Sequence, residues 1–298
     1  MIDIKRALKS NRIMKALTGL SRKEFLKLVP LFGKHLGPVF LEKRNVQSNL
    51  GRKFILKTNE QKLFYILLYV KCYPTFDLAA FMFNVDRSSC CRWTHWFIEV
   101  LERTLGKESV LPKRKVSSIE EFMELFPTLK KIYIDGTERP IRRPKDSKKQ
   151  KENYSGKKKR HTKKNLIVSD KEKKIVILSN TREGKVHDLR NLRDEEIASI
   201  IPKKVTTALD GGFLGIQKDY PELKVIMPKR KPKGRELTEE EKEQNRMISS
   251  ERVINENAIG GVKRLRIVSD VYRNIKENFE DKVMLIACGL WNFHLEMA

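Results

Sequence analysis

Apolar positions in this chain change their period partway along, and the change separates a helical half from a strand-bearing half. Through residue 57 the apolar residues are spaced loosely at helical intervals, as in Phe25, Leu26, Val29, Leu31 and Phe32. This basic stretch predicts helices that pack on the next segment of the chain or serve as an arm. From Asn59 the pattern sharpens: Leu63, Ile66, Leu67 and Val70 fall on one helical face, and Tyr73-Pro74 ends it. Thr75 caps a predicted helix over 77–83, Asn84-Val85-Asp86 makes a short turn, and a second helix runs over 87–105. A helix, a tight turn and a longer helix is the helix-turn-helix arrangement, with an ordinary αα-hairpin as the alternative. In it Leu78, Ala79, Phe81 and Met82 form the scaffold helix, and Trp93, Trp96 and Phe97 face the core. In that arrangement Arg87, Ser88, Ser89 and Arg92, near the start of the second helix, are expected to reach the groove of a nucleic acid.

Pro112 and the mixed charges after it predict a linker, with a second domain starting near Ser117. After a short helix, apolar runs of strand length predict strands at 131–135, 164–169, 174–179, 204–210 and 223–227. A basic loop is expected at 138–163, and helices at 188–200, 238–262 and 281–295. The tight turn at Asp170-Lys171 predicts an antiparallel hairpin. The order as a whole predicts an α/β domain, a mixed sheet flanked by helices, preceded by an all-α helix-turn-helix domain. The expected division is a basic helical region at 1–57, a DNA-binding domain at 58–112 and a sheet domain at 117–298.

Composition adds a partner. Of 298 residues, 63 are Lys or Arg and 38 Asp or Glu, a net charge of +25 that favours a polyanion. The stretch 142–164 is densest: twelve Lys/Arg, among them Lys157, Lys158, Lys159 and Arg160, against Asp146 and Glu152. Such self-repulsion predicts a segment mobile until DNA binds, with Tyr154 and His161 available to stack or hydrogen-bond. No apolar run approaches the roughly 20 residues that cross a bilayer, and no signal peptide is visible. Cys72, Cys90, Cys91 and Cys288 make no zinc or disulfide pattern, so a reduced, cytoplasmic setting is expected, with Cys72 and Cys288 as core residues.

Three acids then stand out. Asp135 and Asp210 each end an apolar run and precede glycine, which predicts carboxylates delivered at the C-terminal tips of buried strands. Glu256 lies in the predicted long helix. Hard oxygen ligands of this kind suit Mg²⁺ or Mn²⁺, and pairs of such ions carry out phosphodiester chemistry. Asp188 is expected to cap the helix it opens, with His187-Asp188 structural or substrate-supporting rather than a ligand pair.

The segments IYIDGTERPIRRP, YSGKKKRHTKK, GKVHDLRNL, ALDGGFLG and ISSERVINENAIGGVKRLRIVSDVYRN, in this order, resemble the DDE transposases of bacterial insertion sequences, in the branch related to PIF/Harbinger elements. The resemblance spans about residues 60 to 298. It implies an RNase H-like fold in which Asp135, Asp210 and Glu256 bind two Mg²⁺. Glu251 competes for the third place, but Glu256-Asn257-Ala258-Ile259-Gly260 matches the family core, and Lys263 stands two turns later. Asn255 departs from the pattern, which has an apolar residue there. Lys157 to Arg160, His161, Arg252, Lys263 and Arg264 are expected on DNA. The implied activity is cleavage and strand transfer at terminal inverted repeats and target DNA, by a dimer or larger assembly, in the bacterial nucleoid or a eukaryotic nucleus. A DNA-binding protein with an inactive catalytic domain, or a nuclease without strand transfer, are the rival readings.

Overall fold

The computed structural model describes residues 2–43 and 55–298; part of the expected basic region at 1–57 therefore lies outside the described residues. Two compact units emerge. The first is helical and begins with α1 (Ile4–Leu8), α2 (Asn11–Thr18), α3 (Arg22–Lys43), α4 (Asn59–Cys72), α5 (Phe76–Phe83) and α6 (Arg87–Lys107). Caps fix the starts: Ser10 accepts from the Ile13 N–H, Thr58 and Gln61 form a capping box, and Thr75 accepts from the Leu78 N–H. Every residue of α4 from Leu63 to Val70 is buried, so it is the central helix of the bundle. The Tyr65 hydroxyl donates to the Cys90 carbonyl and bonds the Thr94 hydroxyl, while its ring meets Phe83 and Trp93 edge to face. α3 joins this core through Phe25 on Phe64 and Phe32 on Phe97. The N-terminal helices are thus part of the bundle rather than a detached arm.

The helix-turn-helix segment has the expected shape with one correction. α5 buries Ala79 and Phe83, an i,i+4 pair, and leaves Leu78 and Phe81 exposed at 51% and 84%. Trp93 and Phe97 are buried as expected, and Trp96 is half-buried. Cys72 is half-buried rather than core, whereas Cys288 is buried.

The second unit covers 112–261 and 271–274. It contains α7 (Ile119–Leu125), β1 (Lys131–Pro140), α8 (Ser147–Asn153), β2 (Tyr154–Ser155), β3 (Arg160–Ser169), β4 (Ile175–Leu178), β5 (Arg182–Glu183), α9 (Asp188–Asp194), β6 (Thr206–Ala208), α10 (Ile216–Asp219), β7 (Val225–Ile226) and most of α11 (Glu239–Lys263). The sheet runs β2-β3-β1-β6-β7, with β4 and β5 also on β3. β3 is antiparallel to β1 and to β4, whereas β6 is parallel to β1 and β7 to β6. This is the mixed sheet flanked by helices that the residue pattern predicts. Ile132, Ile134, Leu166 and Val168 share one core with Phe122 of α7 and Leu189 and Leu192 of α9.

Several boundaries differ. The expected loop at 138–163 is structured: β1 continues to Pro140, α8 comes next, and β3 starts at Arg160. Polar cross-strand partners hold this extension. Arg139 donates to Asn165 Oδ1 (2.7 Å) and Thr181 Oγ1 (3.0 Å), and Glu138 accepts from the Thr162 hydroxyl (2.8 Å). The helix expected over 188–200 stops at Asp194, where Glu196 takes a left-handed backbone (φ 54°). β6 and β7 are also shorter than their apolar runs.

After α11 the chain returns to the helical unit as α12 (Arg266–Ser269) and α13 (Phe279–Met297). Asn292 donates to the Val110 carbonyl, and a Cβ at Gly289 would stand 2.6 Å from Leu111, so the helix needs glycine there to pack. Compactness thus groups the chain otherwise than as 1–57, 58–112 and 117–298. Among the described residues no helix is long and apolar enough to cross a membrane.

Candidate active site

β1 and β6 run parallel in the register Lys131↔Thr206, Ile132↔Thr207, Tyr133↔Ala208. Two residues further along each chain bring Asp135 level with Asp210. Asp210 stands just past the end of β6, near a strand tip as predicted. Asp135 does not: it lies in the middle of β1, at the point where β1 outruns its parallel neighbour. Each carboxylate is gripped by a glycine just after it. The Gly136 N–H donates to Asp135 Oδ1 (2.7 Å), and the Gly212 N–H donates to Asp210 Oδ1 (2.8 Å). Asp210 therefore caps the short 3-10 turn Gly211–Phe213 while presenting its second oxygen.

Electrostatics link the two acids. Burial, then the negative charge of Asp210, push the Asp135 carboxyl up from 3.8 to about 6, and Asp188 adds to the shift. Arg252 opposes it, with Nη2 4.0 Å from Asp210 Oδ2. A buried carboxyl beside a second carboxylate offers hard oxygen donors of the kind that suit a divalent cation.

Side chains alternate along β1, so Lys131, Tyr133 and Asp135 share a face. α11 crosses that face. Glu251 pairs with Lys131, and Asn255 accepts from the buried Ser169 hydroxyl (2.8 Å), Ser169 being the β3 partner of Tyr133. The polar residue at 255, where the resembled pattern is apolar, is thus buried and satisfied. Glu256 lies four residues after Arg252, on the same helical face, and is exposed. Among the described residues no three Asp, Glu, His or Cys side chains gather closely enough to hold a metal ion. The structure brings Asp135 and Asp210 together and leaves Glu256 outside that cluster, one turn beyond Arg252.

Asp188, expected from the sequence as a cap and as structural or substrate-supporting, lies against both acid-bearing segments. His187, not Asp188, caps α9; its ring accepts weakly from the Leu189 N–H (3.4 Å). Asp188 turns its carboxylate to the two acids and pairs with the buried Lys164 (3.0 Å). Lys164 also contacts Glu138 (3.7 Å) and donates to the Val186 carbonyl (2.9 Å).

The predicted DNA contacts divide. Ser88 and Arg92 are exposed at the start of α6, Ser89 accepts from Arg92, and Arg87 pairs with Asp77. Lys157, Lys158 and Lys159 are exposed in the turn between β2 and β3 and Arg160 is exposed at the start of β3, next to the strand pair Tyr154 and His161, whose rings meet edge to face. Arg252 faces Asp210. Lys263 is half-buried at the end of α11. Arg264 is half-buried: its guanidinium lies 5.5 Å over Trp291, two of its nitrogens are buried without a hydrogen-bond partner, and burial pushes its pKa down.

Residues 134–292 match the family described as DDE superfamily endonuclease, and residues 56–107 match the helix-turn-helix of DDE superfamily endonuclease. A relative from Microchaete diplosiphon, named "Probable transposase for insertion sequence element IS702", is 28% identical over 287 residues, covering 96% of this chain and 95% of that protein. No solved structure matches.

Proposed function

The chain belongs to the DDE superfamily of endonucleases, and on that premise we propose that it is the transposase of an insertion sequence, which binds the element's terminal inverted repeats and cleaves and rejoins DNA. The observation that supports the reading is that β1 and β6 run parallel with Tyr133 opposite Ala208, which carries Asp135 and Asp210 to the same end of the strand pair, where the charge of Asp210 acts on Asp135. Asp135 and Asp210 would hold the metal, with Glu256 as the third ligand. Mg²⁺ or Mn²⁺, when bound, supplies a lowered pKa for the attacking water or 3′-hydroxyl and charge stabilisation for the leaving 3′-oxygen. The chain's own residues do the rest. The two glycine N–H groups orient the acids, and α11 sets Arg252 against Asp210 one turn before Glu256. The exposed start of α6 reads base edges, while Lys157 to Arg160 contribute salt-sensitive affinity for phosphates. No covalent protein–DNA intermediate is needed. Joining two element ends calls for at least a dimer on DNA.

A second reading, a DNA-binding protein of the same fold without catalysis, is favoured by one observation: Glu256 stands outside the acid cluster. A single experiment separates the two. A plasmid carrying the gene with its native flanks is incubated with Mg²⁺ and wild-type protein or Asp135→Ala. Nicking at the element ends by wild type alone supports the transposase, and joined products on an added target plasmid support strand transfer. Binding without nicking by both proteins supports the second reading.

A further inference from the structure

Asp188 belongs to none of the three roles just assigned, yet both chain segments that carry the aspartates close upon it. Its Oδ1 lies 2.5 Å from the point where a Cβ on Gly136 would stand. Its Oδ2 lies 3.2 Å from the corresponding point on Gly212, whose other close neighbour is Asp210 Oδ1 at 2.8 Å. One carboxylate thus rests against both glycines that grip the two acids. Neither glycine has a positive φ, so backbone freedom does not explain them. What any larger residue would remove is the room for Asp188.

The carboxylate is also fixed from behind. Lys164, whose side chain is 8% exposed, holds it at 3.0 Å and is itself tied to the Val186 carbonyl and Glu138. Asp188 opens α9, whose Leu189 and Leu192 anchor it in the core beneath the sheet. The side chain is therefore clamped between a buried ammonium and the two acid-bearing segments.

We propose that Asp188 is a positioning residue of the acid pair: clamped by Lys164, it sets the spacing of the Asp135 and Asp210 segments and adds negative charge to the volume a divalent cation would enter. The proposal rests on the reading of Asp135 and Asp210 as metal ligands, and its test keeps the two apart. Mn²⁺ alone is titrated calorimetrically into the full chain as wild type, Asp135→Ala, Asp188→Asn and Gly136→Ala, with a thermal melt of each to show that it is folded. Asn has the shape of Asp and lacks its charge, so a purely structural wedge would leave Asp188→Asn with wild-type affinity. The expected result is a loss of about 10- to 100-fold, the usual cost of removing a residue that orients metal ligands. Gly136→Ala changes no charge but pushes the Asp188 carboxylate aside, and a loss in the same direction is expected; it carries the test should Asp188→Asn not fold. If wild type binds no Mn²⁺, or Asp135→Ala binds as well as wild type, the ligand reading itself falls. If Asp135→Ala loses binding while Asp188→Asn and Gly136→Ala stay within about twofold of wild type, well short of that cost, the role of Asp188 is overturned and the ligand reading stands.

Discussion

Replacing Asp135 by Asn should make the metal-free protein more stable at neutral pH. The Asp135 carboxyl is raised from 3.8 to about 6, first by burial and then by Asp210. A carboxyl with a higher pKa in the folded chain than in the unfolded one adds stability below the unfolded value and loses it as pH rises through the folded value. Above about pH 6 the ionised group therefore costs the fold, at about 1.4 kcal/mol per pKa unit, or about 3 kcal/mol near pH 7.5. Asn keeps the oxygen that accepts from Gly136 and never ionises. The advantage of Asp135→Asn should thus be about 3 kcal/mol near pH 7.5 and shrink to about 1 kcal/mol near pH 4.5. For a unit of this size that is roughly a 6–12 °C rise in the melting of the sheet-bearing unit. Calorimetric scans of the full chain in EDTA at both pH values read it directly. Mg²⁺ should then raise the wild-type transition and leave the variant's unchanged. A variant that melts at or below wild type near neutral pH would refute the reasoning, because it would mean that burial and the charge of Asp210 do not disfavour the ionised Asp135.

Asn255→Ala strands the buried Ser169 hydroxyl and should cost about 1–3 kcal/mol in chemical denaturation, whereas Asn255→Leu with Ser169→Ala should recover most of it. Gly184→Ala would set a Cβ 2.8 Å from the Thr162 carbonyl and 2.9 Å from that of Asn153; a loss of about 1–3 kcal/mol is expected, and wild-type stability would contradict the packing. Removing Lys157, Lys158, Lys159 and Arg160 together should lower the slope of log affinity against log salt by up to about 3.6 on duplex DNA, measured by fluorescence anisotropy. Glu251→Gln should leave Mg²⁺-dependent nicking intact and Glu256→Gln should abolish it; the reverse pattern would reassign the third acid.

Legible in the sequence is whatever strong periodicity or local chemistry writes there. The α4 apolar run, the Thr75 cap, the turn at Asn84 and the hairpin at Asp170 are local signals, and the structure has all of them. The two Asp-Gly runs are visible for the same reason. The extension of β1 is not, because Thr137, Glu138 and Arg139 look like loop residues until Thr162, Asn165 and Thr181 are set beside them. Asp188 looks like a cap because its partners, Lys164, Gly136 and Gly212, are distant along the chain. Arg264 looks like a surface cation because no local pattern reveals a tryptophan 27 positions later lying under its guanidinium. The family resemblance supplies Glu256, which periodicity alone does not separate from Glu251.

The return of α13 to the helical bundle has a consequence for how the protein is made. Its glycine seats Leu111 and its Asn292 satisfies Val110, so the first hundred residues complete their packing only with the last twenty. On a ribosome adding about 5–20 residues per second, the intervening segment takes on the order of 10–30 s to emerge. For that interval the nascent bundle waits with an apolar surface uncovered, and a chain truncated before Phe279 would wait indefinitely. Synthesis of the final helix is then the step that closes the bundle.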